Sequence, residues 1–288
     1  MPPPPGLSPI DMDASFEEHE KPFDEVIDTI VSSWGNQQEK KHLFRTQITQ
    51  MYNNLLASRD THKSENFGEL IQTRVQRTVL SPFNSSDNTP EFYTMNAYKN
   101  DGILYKCYDF FMKPGAFILF LSEVFMQKYA FENVSKRCDV VIPVIYDYWL
   151  QTIHGDTNYD SKFIIKMQYL TGFRPLLDVS VTNSCDSVAK RINNINACMQ
   201  RVLFFHNDYT LGNIMFSDKE NKFGLIDFAL SAFAPLDSFI GDENDENDNN
   251  NFYCVNKSLR RRSVGFGGKS KNRLRKRNTK KKRKKRRR

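Results

Sequence analysis

The sequence predicts an α+β fold: a helical extension first, then a five-stranded antiparallel sheet interrupted by one helix, then a reduced, mainly helical portion. Three observations carry this expectation. Apolar residues recur at three- and four-residue steps between Pro22 and Ser58. β-Branched and aromatic runs separated by turn residues fill 74–170, and a long helical stretch over 186–205 delivers the chain into polar loops.

The extension reads as two amphipathic helices. Phe23, Val26, Ile27, Ile30, Val31 and Trp34 form the apolar face of the first. After the Gly-Asn-Gln break at 35–37, Phe44, Ile48, Met51, Tyr52 and Leu55 form that of the second. Two such stripes must dock on something, and a packing role is expected. The runs RVQRTVLS, EFYTMNAY and ILYKCYDFF then predict three antiparallel strands, with the Asn-Asp-Gly at 100–102 as a hairpin turn. A helix is predicted to begin at Pro114 and Gly115 and to continue through FILFLSEVFMQKYAFENV. DVVIPVIYDYWL and KFIIKMQYL supply the last two strands, closed by TGFRPLLD.

Composition narrows the class. Of 288 residues, 39% are hydrophobic, including 23 Phe and 12 Tyr, enough to bury a sizeable core. The net charge of +7 conceals an asymmetry: residues 258–288 hold 18 Lys and Arg and no acid, leaving 1–257 at −11. A cationic tail on an acidic body predicts a polyanionic partner, nucleic acid or an acidic protein, and a nuclear-import signal is a further expectation. GDENDENDNNN at 241–251 reads as a solvated acidic spacer. The first residues, MPPPPGLSPIDMDASFEEHE, lack the basic and apolar regions of a signal peptide. No apolar run approaches the ~20 residues that cross a bilayer, so a soluble, intracellular protein without a transmembrane segment is expected. Five cysteines, with no Cys-x-x-Cys pair, predict unpaired buried thiols in a reducing compartment rather than a zinc site.

The chemistry concentrates in RVLFFHNDYTLGNIMFSDKENKFGLIDFALS, residues 201–231. Asp208 and Asn213 stand five apart in a polar loop, and Asp227 ends an apolar strand-like run. A carboxylate at such a position is costly to bury and should face a cation or water. Two carboxylates and an amide oxygen are hard ligands of the kind that hold Mg²⁺ together with substrate phosphates. Nineteen residues separate the two aspartates, enough for two loops joined by a short hairpin that turns at Asp218–Asn221.

HNDYTLGNI followed by LIDF resembles the catalytic and metal-binding loops of the protein-kinase-like superfamily, H-x-D-x-x-x-x-N followed by D-F-G. The resemblance spans 74–235 and implies a two-lobed fold that uses ATP and Mg²⁺. It implies further parts in a set order. Lys106, in ILYKCYDF, would contact the α- and β-phosphates, steadied by Glu123 in the following helix, with Glu132 as the alternative acid. Met167, Gln168, Tyr169 and Leu170 would line the adenine pocket as the inter-lobe linker. Asp208 would orient and help deprotonate the acceptor hydroxyl, Asn213 and Asp227 would hold Mg²⁺, and His206 would brace the loop. Ser85 and Ser86 would bring backbone N–H groups to phosphate from LSPFNSSDNTPEF, which has no glycine where the family carries a glycine-rich loop. Ala229 stands where the pattern has its glycine, and Thr210 where hydroxyl-directed protein kinases carry lysine. In these respects HND…GN is similar to choline-kinase and aminoglycoside-phosphotransferase relatives and to kinase-like proteins of large DNA viruses, while the short stretch expected between Asp227 and the basic tail resembles RIO-type and other minimal kinases.

The expected division is therefore a disordered leader (1–20), a helical extension (21–73), a sheet-bearing lobe (74–170), a reduced lobe with the catalytic and metal loops (171–240), an acidic spacer (241–257) and a disordered basic tail (258–288). The resemblance implies a phosphotransferase acting on Ser or Thr of a protein. A catalytically weak scaffold docking through its tail and a small-molecule kinase stay open.

Overall fold

Residues 20–61, 65–77, 92–110, 114–154, 160–179 and 185–235 are described by a computed structural model. Ser85 and Ser86, the leader 1–19, the acidic spacer and the basic tail lie outside the described residues.

The two leading helices are α1 (Glu20–Ser32) and α2 (Gln38–Ala57). Their apolar stripes are buried as the periodicity requires: Phe23, Val26, Ile27 and Val31 on α1, Trp34 just beyond it, and Phe44, Ile48, Met51 and Leu55 on α2. Both pack on α3 (Pro114–Asn133). This explains why α3 is apolar nearly all round: one side meets the sheet and the other meets the extension. Proline at the first helical position suits its start, where the missing N–H costs nothing. The end of α2 is tied to strand β4 (Ile145–Thr152), where the Asp60 amide donates to the Leu150 carbonyl at 2.9 Å and Asp60 Oδ1 accepts from the Thr152 amide at 2.7 Å.

The principal sheet has the order β1-β2-β3-β5-β4, antiparallel throughout. Its other strands are β1 (Glu69–Arg77), β2 (Phe92–Asn100), β3 (Ile103–Phe110) and β5 (Ser161–Gln168). The hairpin between β2 and β3 turns on Asp101 (φ 44°) and Gly102 (φ 79°), the two left-handed positions of a tight turn matched to strand twist. β1 begins five residues before the predicted run. Glu69–Thr73 lies at an edge with a register shift between Leu70 and Gln72, and both Leu70 and Ile71 are exposed, so no alternation announced it. The outer face of the sheet carries a small second core of Tyr105, Cys107, Trp149 and Ile164 under Phe67.

A short helix α4 (Ser135–Cys138) follows α3. Beyond β5 come β6 (Arg174–Pro175), a 3-10 turn (Leu176–Asp178), α5 (Cys185–Arg201), and the hairpin β7 (Ile214–Ser217) and β8 (Lys222–Leu225). The helix predicted over 186–205 stops at Arg201. Leu203 turns left-handed (φ 56°) and donates to Gln200, while the Phe204 amide reaches back to Met199 at 3.0 Å, closing the last carbonyls of the helix.

The cysteine expectation is corrected: Cys138 and Cys198 are disulfide-bonded, with Cα atoms 5.5 Å apart, and Cys107 is a buried free thiol. Sixty residues separate the pair, so local spacing carried no trace of it; packing of α4 on α5 brings them together. Among the described residues no helix is long and apolar enough to cross a membrane.

Candidate active site

The β3 register dictates where Lys106 points. Lys106 pairs with Ala97 of β2 and Ile165 of β5, both buried, so its side chain leaves the sheet on the inner face beneath α3. There Lys106 Nζ lies 2.6 Å from Glu123 Oε1 and 3.3 Å from Asp227 Oδ1. Glu123, 1% exposed, also accepts from the Tyr108 hydroxyl at 2.5 Å through Oε2. Glu132, the alternative acid, is exposed near the end of α3. Burial pulls the Lys106 ammonium down, but the carboxylates of Asp227 and Glu123 outweigh it and hold its pKa above the ordinary lysine value.

The loops that carry the acids are pinned to each other by main-chain pairing. Phe205 and Ala232 form a two-way bridge at 2.9 Å, and Asn207 Nδ2 donates to the carbonyls of Leu230 (3.1 Å) and Ala234 (3.3 Å). The hairpin turns at 218–221 as the spacing requires. Asn213 Nδ2 donates to Asp208 Oδ2 at 2.7 Å and to the Asp208 carbonyl at 3.1 Å. With its nitrogen committed to Asp208, the amide has Oδ1 to offer a cation. Asp227 has φ 65°, a strained conformation that aspartate tolerates better than most residues. The left-handed residue of this turn is thus Asp227, and Ala229 carries no positive φ that would call for glycine.

The two aspartates differ electrostatically. The Lys106 ammonium above all holds the Asp227 carboxyl below its ordinary value, against the effect of burial. Burial, seconded by Asp227, raises that of Asp208. One acid is thereby kept charged and the other is brought closer to taking up a proton. Among the described residues no three His, Cys, Asp or Glu side chains cluster as a metal site. A cation here would rest on the Asp227 carboxylate and the Asn213 amide oxygen with phosphate oxygens completing the shell, a donor set that fits Mg²⁺.

His206 is fully buried, and its Nε2–H donates to the Ile226 carbonyl at 3.0 Å, joining the loop before Asp208 to the one before Asp227. Burial pushes its pKa from 6.5 down to about 4. The unfolded chain therefore takes up this proton well before the folded protein does. The stability contributed by neutral His206 is complete above pH 6.5 and is lost as pH falls toward 4, a loss of roughly 3 kcal/mol. Urea midpoints measured across that window should fall with pH, and the fall should be shallower in His206→Gln. Equal slopes in the two proteins would show that His206 is not held neutral.

Of the linker residues, Met167 and Gln168 close β5. Met167 is buried on the same face as Lys106, its sulfur 3.7 Å from Gln127 Nε2. The amides of Gln168 and Tyr169 donate to Val144 and Gly102, each at 2.8 Å, anchoring the linker to the sheet. Leu170 packs over Gly224 of β8, where a Cβ would lie 3.0 Å from its Cδ1, so the linker and the hairpin meet closely. Ser85 and Ser86 are not among the described residues. Sequence reasoning missed Tyr108 and Arg74. The signal for both was strand alternation, which sets polar side chains of β1 and β3 on the inner face. Arg74 Nη1 lies 3.8 Å from Asp227 Oδ2.

Residues 181–237, which contain all of this loop chemistry, match the family model of the phosphotransferase enzyme family (APH). No curated protein matches the chain. Similar solved structures include monomeric WbdD, at 19% identity and a TM-score of 0.30, covering 49% of this chain and 33% of that one. WbdD co-crystallised with the kinase inhibitor LY294002 aligns at 15% identity and a TM-score of 0.35, covering 49% and 31%. The chain thus spans about a third of the length of these structures. Its α+β architecture, with the five-stranded antiparallel sheet, resembles a kinase-like fold, and the match to the phosphotransferase family over 181–237 is a likeness of the same kind.

Proposed function

We propose that this protein is a kinase-like phosphotransferase that uses ATP and Mg²⁺ and transfers phosphate to a hydroxyl, that of a Ser or Thr side chain in a protein. The observation that carries the reading is the buried Lys106–Glu123 pair meeting Asp227, beside Asp208 hydrogen-bonded to Asn213. A scaffold gains nothing from a buried cation shared by two acids, since burying charge is costly even when paired.

Lys106 holds the α- and β-phosphates, kept in place by Glu123 and, through it, by Tyr108. Asp227 and Asn213 hold the cation, whose chemistry when bound is to neutralise charge on the phosphate oxygens. Asp208 orients the acceptor hydroxyl and receives its proton, a role suited to a carboxyl whose pKa is raised. Phosphoryl transfer asks mainly for positioning and charge neutralisation, which these residues supply without a protein nucleophile.

The protein acceptor is favoured by the composition of residues 236–257, which are Asp- and Asn-rich and carry little of the apolar periodicity from which a small-molecule pocket would be built. The family match favours the second reading, a small-molecule acceptor. Wild-type protein should show a thermal shift with ATP plus Mg²⁺, about 2.7 kcal/mol of stabilisation at a hundredfold excess over Kd. It should also transfer γ-phosphate to a Ser/Thr peptide mixture, with Asp208→Ala lowering the rate by roughly 10²–10⁴-fold. Transfer to amino alcohols or amino sugars instead would select the second reading. No shift with nucleotide or cation would leave a scaffold.

A further inference from the structure

We propose that Arg74 is a second phosphate-binding cation of this site, supplying from strand β1 the contact that a glycine-rich turn would otherwise make. The inference rests on the nucleotide reading above and adds to it a residue outside the five that the motif supplies.

Register places the side chain. Arg74 pairs with Met95 and Gln72 with Ala97, and both partners are buried on the inner face that also carries Lys106 and Tyr108. The Gln72 amide, turned so that its oxygen faces the guanidinium, accepts from Arg74 Nε and Nη2 at 2.9 Å each. That leaves Nη1 aimed at Asp227 Oδ2, 3.8 Å away, while Lys106 holds Oδ1. The carboxylate proposed to carry the cation is therefore flanked by two positive side chains, one on each oxygen.

A structural role alone accounts poorly for this arrangement. The Arg74 side chain is 44% exposed and its ion pair exceeds direct hydrogen-bond length, a geometry that contributes little to stability. A cation seated on Asp227 would compete with Nη1 for the same carboxylate oxygen. The guanidinium, still held by Gln72, would then face the anionic oxygens gathered around that cation, which a planar multi-donor fork suits well. The residues that follow β1 create the need for such a donor. The segment 78–91 has no glycine, and Pro82 and Pro90 lack an N–H, so its sequence departs from the glycine-rich pattern at this point.

The test compares a ligand with phosphates and one without. Titrations of ATP–Mg²⁺ and of adenosine, followed by calorimetry, are made on wild type, Arg74→Ala, Arg74→Lys and Gln72→Ala. ATP affinity should fall about tenfold to a hundredfold in Arg74→Ala, the effect of losing a hydrogen bond to a charged group. Adenosine affinity should be unchanged, and Arg74→Lys and Gln72→Ala should lie between. Unchanged ATP affinity in Arg74→Ala, or a parallel loss of adenosine affinity, overturns the assignment while leaving the proposed function standing. A wild-type protein that binds neither ligand overturns both. Should Arg74→Ala fail to fold, unaltered ATP binding in Arg74→Lys and Gln72→Ala together would equally refute the role.

Discussion

Replacing Lys106 by methionine is expected to destabilise the protein by about 3–5 kcal/mol, beyond abolishing the proposed phosphate transfer, because it leaves Glu123 and Asp227 without the cation they share. Glu123 is the more exposed to this loss in energetic terms, since it is 1% accessible and cannot turn to water. Methionine approximates the lysine stem, so packing changes little and the effect isolates charge. Adding Glu123→Gln to Lys106→Met should recover a large part of the loss, as the neutral amide can still accept from Tyr108 without a buried charge. Urea unfolding of the single and double variants measures both. A loss below ~1 kcal/mol for Lys106→Met would mean that the pair is open and solvated in solution.

Trp34→Ala should cost a comparable ~3–5 kcal/mol, for a different reason. Trp34 is 2% exposed and sits edge-on between Phe44 of α2 (4.9 Å between centroids) and Phe233 (5.1 Å), six residues beyond Asp227. Phe44 in turn meets Phe125 of α3, two residues from Glu123. The Gln37 side chain donates to the Phe233 carbonyl, and Lys40 donates to the Tyr129 hydroxyl at 2.5 Å. The helical extension therefore latches together the helix that carries Glu123 and the segment that follows Asp227. In Trp34→Ala, hydrogen exchange should quicken in 123–130 and 228–234 more than in β4 and β5. Uniform quickening across the sheet would show that the indole only fills space.

Much of the candidate site was legible because its spacing is imposed by the elements that carry it. A strand, a helix of about twenty residues and a short hairpin each fix how far apart Lys106, Glu123, Asp208, Asn213 and Asp227 must fall along the chain. The structure brings Lys106 to Glu123 and Asp227, and Asp208 to Asn213. Tyr108 and Arg74 were harder to see. Each lies two or more residues from any motif position and gains meaning only from the cross-strand register. The disulfide was opaque for a related reason: sixty intervening residues say nothing about which cysteine faces which.

Hydrophobic periodicity was enough to specify the long helices and most of the five-stranded sheet, and the polar spacing in 201–231 was enough to single out the acids of the candidate site, since both are properties of short windows and local backbone geometry. Three things awaited the folded chain: that the extension docks on α3 and on Phe233, that Arg74 faces Asp227, and that Cys138 meets Cys198. These are contacts between surfaces far apart in sequence. Their partners are selected by shape and burial when the layers assemble, and an apolar stripe or an inward-pointing cation announces only that it needs a partner, not which one it will find.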